Sequence, residues 1–223
     1  MQSLLSVNDL SIGFGSNEPT VDRVNFSVDS GETLALVGES GSGKTLSCRA
    51  VLRILPASAQ IRSGQINLNC RGSDVDLAGL SERELRGIRG DQVSMIFQEP
   101  MRSLSPLHRI GDQVGEVLTM HRNCSIAEAK IAVLEEFERV GLKDPESTYF
   151  AYPFELSGGM QQRAMIAMAT VAKPDLLIAD EPTTALDMTT QAQVLGLLKK
   201  LQADSGMAPV SYTHLTLPTI LLV

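Results

Sequence analysis

Hydrophobic and polar residues alternate from Leu4 to Leu10 and again from Val21 to Val28, the period-two pattern of strands with one buried face. Thr33 to Val37 is a short apolar run that ends at a glycine-rich loop, and Gln92 to Phe97 and Asp175 to Ala179 are further candidate buried strands. The last is almost wholly apolar, as a parallel strand covered on both faces should be. Between those two runs the period changes to that of a helix. Ile126, Ala129, Val133, Phe137 and Val140 recur at helical spacing behind a Ser125 and Glu128 capping box, and Gly141 stops the helix. Further on, Val194, Leu197, Leu198 and Leu201 make the apolar face of another helix. Alternating strands and helices with a helical insert predict an α/β chain, with no internal repeat and no low-complexity linker.

Composition narrows the picture. At 223 residues and 43% hydrophobic, the chain can bury one substantial core, so one domain is expected. A net charge of −7 argues against a nucleic-acid binder, so any affinity for phosphate must be local. Cys48, Cys70 and Cys124 show no CxxC spacing, which suggests neither a zinc site nor a disulfide framework and fits reduced thiols in a cytosolic protein. The start, MQSLLSVNDL, lacks a basic region before an apolar core, and no apolar run reaches bilayer-spanning length. A role at a membrane must therefore work through a partner.

Three motifs carry chemistry. GESGSGKT runs from Gly38 through Glu39, Ser40, Gly41, Ser42 and Gly43 to Lys44 and Thr45, placed between a strand and a helix. Its glycines let successive backbone N–H groups point at phosphate oxygens, and the following helix adds its positive end. Lys44 supplies a charge for the β- and γ-phosphates, and the Thr45 hydroxyl suits Mg²⁺. LLIADEP closes on Asp180 and Glu181 at the carboxyl end of a buried strand, where ligands sit in open α/β sheets. Asp180 would hold Mg²⁺ and Glu181 would orient and deprotonate a water; taken alone, the pair reads equally well as a strand end followed by an acidic helix start. The third motif is LSGGM, with Leu156, Ser157, Gly158, Gly159 and Met160. Ser157 is a natural N-cap, and the two glycines leave N–H groups uncovered, so this is a second helix start built to meet an anion. If the helical insert holds the two surfaces apart, two such domains facing each other would let each LSGGM close over the ATP held by the opposite phosphate loop.

With these motifs the chain resembles the ATP-binding subunits of ABC transporters from about Leu4 to Ala208. GESGSGKT, IFQEPMRSLSPLH, LSGGMQQR and IADEPTTALD are similar to the ATPases of bacterial oligopeptide and dipeptide importers, nearest to the first half of the fused ATPases of microcin C-type peptide importers. Ser105 departs from the asparagine usual in that group. The resemblance implies a P-loop NTPase (RecA-like) core with an N-terminal antiparallel β region and an inserted helical subdomain at about residues 99–165, within one domain spanning 1–208. It implies ATP and Mg²⁺ as cofactors, with Gln98 sensing Mg²⁺ and the transmembrane partner, Phe14 stacking on adenine, and Ala185, Leu186 and Asp187 forming a dimer-contact loop. Glu181, Lys44 and Gln98 are then the catalytic set, and Thr45, Gln98 and Asp180 the metal set. The implied partners are a second cassette, two transmembrane permease subunits and, indirectly, a periplasmic peptide-binding protein, with the chain peripheral on the cytoplasmic face of the inner membrane. A DNA-maintenance ATPase would need a long coiled-coil insertion or a basic face, and a translation factor with paired cassettes would bring a basic linker; none is seen here. His108 and His121 read as surface or loop residues, and Met160, Met165 and Met168 as packing.

The end of the chain departs from the family. Val210 to Thr219, VSYTHLTLPT, is what a widely used tagmentation sequencing adapter encodes, so residues 209–223 are expected to be an adapter scar and the native frame to stop near Ala208. His214 falls at the spacing from Glu181 of the family's switch histidine, but its neighbours differ from the family pattern, which favours coincidence. The expected consequences are a strand left open beside the one ending at Asp180, low stability and poor ATP hydrolysis.

Overall fold

The computed structural model describes residues 3–16, 18–39, 41–99, 103–180, 188–205, 207–212 and 220–222. Its strands are β1 (Leu5–Phe14), β2 (Val21–Val28), β3 (Leu34–Val37), β4 (Ala59–Cys70), β5 (Ser73–Asp76), β6 (Val93–Ile96), β7 (Leu176–Asp180), β8 (Ala208–Tyr212) and β9 (Ile220–Leu222). Its helices are α1 (Lys44–Val51), α2 (Glu82–Ile88), α3 (Ile110–His121), α4 (Ile126–Arg139), α5 (Pro145–Phe150), α6 (Gly158–Thr170) and α7 (Met188–Ser205), with a 3₁₀ turn at Pro153–Glu155.

The strands form an antiparallel sheet of order β2-β1-β4-β5 and a parallel sheet of order β6-β7-β8-β3-β9. β1 is longer than the alternation of Leu4 to Leu10 predicts, because register shifts between Asn8 and Ser11 break the period along the strand. Gly64 sits opposite that irregularity at φ +102, where an added Cβ would stand 2.5 Å from the Leu10 Cα, so only glycine lets the two strands approach.

β7 explains how the core is divided. Successive side chains of a strand point to opposite faces. Leu176 and Ile178 accordingly join the cluster that contains Leu5, Ile12, Leu36 and Val51, while Leu177 and Ala179 join the one that contains Val133, Phe137, Met165 and Val194. The second cluster covers the helical insert, which occupies the connection from β6 to its parallel neighbour β7. The capping box predicted at α4 is present, with Ser125 Oγ accepting from the Glu128 N–H and Glu128 Oε2 accepting from the Ser125 N–H. Ala129, Val133, Phe137 and Val140 are buried as expected, and Gly141 follows at φ +80. Ile126 departs from the predicted stripe and is 79% exposed. Side chains lean toward a helix's N-terminus, so at the first position Ile126 overhangs the end of α4. On α7, Val194, Leu197, Leu198 and Leu201 are all buried.

The far side of β7, where loss of the native segment was expected to leave an open edge, is taken by the first residues of the expected adapter tail. Ala208–Tyr212 pairs along it in parallel, with Ile178 opposite Val210, and the same strand pairs with β3. Val and Tyr suit a pleated strand, and Ala208 and Val210 are fully covered there. At the opposite end of the parallel strands, Arg71 pairs with Asp91 and Asp175, and Arg122 pairs with Asp91. These ion pairs join the antiparallel sheet, the parallel sheet and the helical insert. Among the described residues no helix is long and apolar enough to cross a membrane.

Candidate nucleotide site

The phosphate loop leaves β3 and enters α1. Gly41 and Gly43 take φ +84 and +92, and Gly43 is the N-cap of α1. A glycine cap has no side chain to satisfy the first N–H groups of the helix, and no carboxylate lies in the first turn. The helix end is thus open to an anion. Lys44 Nζ donates to Gly38 O at 2.7 Å, Glu39 O at 2.6 Å and Ser42 Oγ at 3.4 Å, so its three donors lie inside the curve of the loop. Thr45 follows at the second position of α1.

Asp180 ends β7 at 1% exposure. One oxygen, Oδ2, lies 3.4 Å from Arg49 Nη2, which brings the acidic strand end against the phosphate-loop helix. Sequence reasoning did not find Arg49; its only signal was its place on the α1 face that starts with Thr45, four residues earlier. Cys48 is buried beside the same carboxylate, and burial, reinforced by the charge of Asp180, pushes its thiol far up, so it stays protonated. Because Ile96 pairs with Ala179, the residues after β6 leave the sheet next to Asp180. Gln98 is exposed there and lines an open cleft of about 390 Å³ with Arg49, Phe97, Glu99 and Ser103.

LSGGM forms the start of α6. Leu156 is buried, Ser157 caps the helix by accepting from the Met160 N–H at 3.4 Å, and a Cβ on Gly158 or Gly159 would meet nothing. The turn is fixed from beneath by Gln161, whose buried Nε2 donates to Pro153 O at 2.8 Å and Leu156 O at 3.2 Å. That residue too was missed as functional, since a glutamine inside a helix gives no sign of the carbonyls it meets. α6 returns between the parallel strands β6 and β7 and so runs opposite to them, which turns Ser157 toward the edge where Asp180 ends.

Residues 21–184 match the ABC transporter family. The chain belongs to this family. It is 50% identical over 217 residues to the peptidoglycan transport ATP-binding protein YejF of Agrobacterium fabrum, an alignment covering 96% of this chain and 39% of that protein. It is 44% identical over 218 residues to the dipeptide transport ATP-binding protein DppD of Bacillus subtilis, covering 96% and 64% respectively. The chain thus spans less than two thirds of the length of these relatives. Among solved structures it resembles the dimeric post-hydrolysis state of the ATP-binding cassette MJ0796 bound to ADP and Pi, with TM-score 0.79, 28% identity and coverage of 94% of this chain and 88% of that one.

Within the cassette, the open end of α1, the encircled Lys44 ammonium and the absence of a first-turn carboxylate suit a triphosphate, and Thr45 and Asp180 are oxygen donors of the kind Mg²⁺ takes. Gly38, Glu39, Gly41, Ser42, Lys44 and Thr45 form the loop and the start of α1, Asp180 meets that helix through Arg49, and Gln98 lines the cleft beside Arg49. Phe14 ends β1, half-buried against the cluster of the two sheets, and nothing in its packing singles it out for a base. Ser40, Glu181, Ala185, Leu186, Asp187 and His214 lie outside the described residues.

Proposed function

We propose that this chain is the ATP-binding and ATP-hydrolysing part of a bacterial peptide importer, acting at the cytoplasmic face of the inner membrane with a second cassette, two permease subunits and, indirectly, a periplasmic peptide-binding protein. One relation carries the reading. The phosphate loop follows β3, whereas α6, which begins at LSGGM, packs on β6, and those strands are three places apart in the sheet, or about 14 Å. Both helix starts face one edge, yet they do not converge on a single triphosphate. Two cassettes arranged head to tail satisfy both surfaces; the dimeric likeness supports pairing of cassettes, and the peptide-transport relatives support the importer reading.

In this reading Lys44 and the N–H groups of the loop hold the β- and γ-phosphates, with Ser157, Gly158 and Gly159 of the opposite cassette closing over them. Mg²⁺, held by Thr45 and Asp180 and approached by Gln98, supplies charge neutralisation on the phosphates when bound. Glu181 accepts the proton of the attacking water. Phe14 stacks on the adenine, and Asp187 contacts the other cassette. The test is Glu181→Gln: it is expected to bind ATP normally, turn over negligibly and accumulate as an ATP-dependent dimer in size-exclusion chromatography. Full turnover by a monomer, at a specific rate independent of dilution, would refute the reading.

A further inference from the structure

We propose that Arg49 is a positioning residue that competes with the divalent cation for Asp180, holding the carboxylate in the metal-free cassette and swinging into the cleft beside Glu99 when the metal binds. The inference rests on the proposed nucleotide–metal site and concerns a residue with no role in that proposal.

Four observations carry it. Asp180 is fully covered, and a buried carboxylate is strongly stabilised by a positive neighbour. The Arg49 guanidinium supplies that charge, but through one 3.4 Å contact rather than the two-pronged pairing that locks arginine to a carboxylate. Its Nε is covered from solvent and finds no hydrogen-bond partner among the described residues, while the side chain is still 34% exposed, so the present position is poorly anchored. Finally, the alternative position exists: Arg49 lines the open cleft whose wall includes the Glu99 carboxylate, the Gln98 amide and the Ser103 hydroxyl.

The geometry makes the two cations rivals. Thr45 and Arg49 are four residues apart on α1 and share a face. A cation between the Thr45 hydroxyl and Asp180 would lie next to the guanidinium, and the two positive charges would contend for one carboxylate. Removing the Arg49 charge should therefore destabilise the empty protein and strengthen its grip on the metal, opposite changes that loss of ordinary packing would not produce.

Mn²⁺ binding in the presence of a non-hydrolysable ATP analogue, followed by electron paramagnetic resonance, tests this. Arg49→Met is expected to bind Mn²⁺ roughly tenfold more tightly than the parent, while its metal-free form melts at a lower temperature. Asp180→Asn should erase the difference that Arg49→Met makes to melting. Glu99→Gln, an exposed change that should fold, is expected to weaken Mn²⁺ binding by removing the acceptor for the displaced guanidinium. Unchanged or weaker Mn²⁺ binding by Arg49→Met overturns the exchange; should that variant not fold, unchanged binding by Glu99→Gln does so. A parent protein that binds the analogue but no Mn²⁺ overturns the metal site on which the inference depends, a separate failure.

Discussion

Gly43 and Val21 are in contact across the boundary between the antiparallel sheet and the phosphate loop: a Cβ added to Gly43 would stand 2.5 Å from Val21 Cγ2. Val21 opens β2 and is buried, so the antiparallel sheet supports the loop from outside the parallel core.

Gly43→Ala meets both that clash and a backbone angle of φ +92. It is expected to destabilise the chain by about 1–3 kcal/mol and to weaken ATP binding at least as much as Lys44→Ala. Gly43→Ala combined with Val21→Ala removes the clash but not the strained angle, so it should recover only part of the loss. Thermal melting together with titration of a fluorescent ATP analogue distinguishes the two contributions.

Gln161→Leu keeps the volume of the side chain while removing its bonds to Pro153 O and Leu156 O. Leu156 O then loses its bond from the side chain and Pro153 O keeps only the Leu156 N–H, at a cost of about 1–3 kcal/mol. ATP binding at the phosphate loop should be unchanged, because that loop lies three strands away, whereas the ATPase rate should fall. Equal losses in both measurements would show that the turn and the loop are not separate units.

Phe137→Ala is expected to cost about 3–5 kcal/mol, because Phe137 is fully covered at the centre of the helical insert. Hydrogen exchange should show the loss first in α3 to α6, with β1 and β4 protected longest.

Acid should act first on helix starts. The Ser125 backbone N–H, then its hydroxyl, hold the Glu128 carboxyl below the ordinary glutamate range, and the Ser81 hydroxyl and N–H do the same for Glu84. A carboxyl depressed in the folded state contributes stability above its unfolded value, and that contribution is lost as pH falls through the folded value. The first turns of α4 and α2 should therefore fray on acidification below the usual glutamate range, seen as local amide exchange. Glu128→Gln, which keeps an acceptor but cannot titrate, should remove that pH dependence from α4.

Motifs whose chemistry is local were legible in the sequence. The capping box at Ser125, the glycine-rich loop before α1 and the apolar run of β7 are each specified by residues close together in the chain. What was missed depends on distant neighbours. Arg49 gains its role only because Asp180 arrives from a strand far along the chain, and Gln161 only because the Pro153 turn folds beneath it. β4 escaped notice because Gly64 and the irregular pairing with β1 break its alternation. Residues 209–223 read as an adapter-encoded tail, and because Val and Tyr favour a strand whatever their origin, Ala208–Tyr212 still pairs on both sides.

The helical insert leaves the parallel sheet after Ile96 and rejoins it at Leu176, on the strand next door. Val93 therefore meets Leu176 only after a long stretch of chain has been reeled in, which should make registry of these strands a slow step in folding. The same layout makes the excursion easy to enlarge over evolutionary time. Its two ends stand side by side, and doubling such a loop adds only about 0.6 kcal/mol of closure entropy, so the lobe can diversify while the sheet beneath it keeps its pairing.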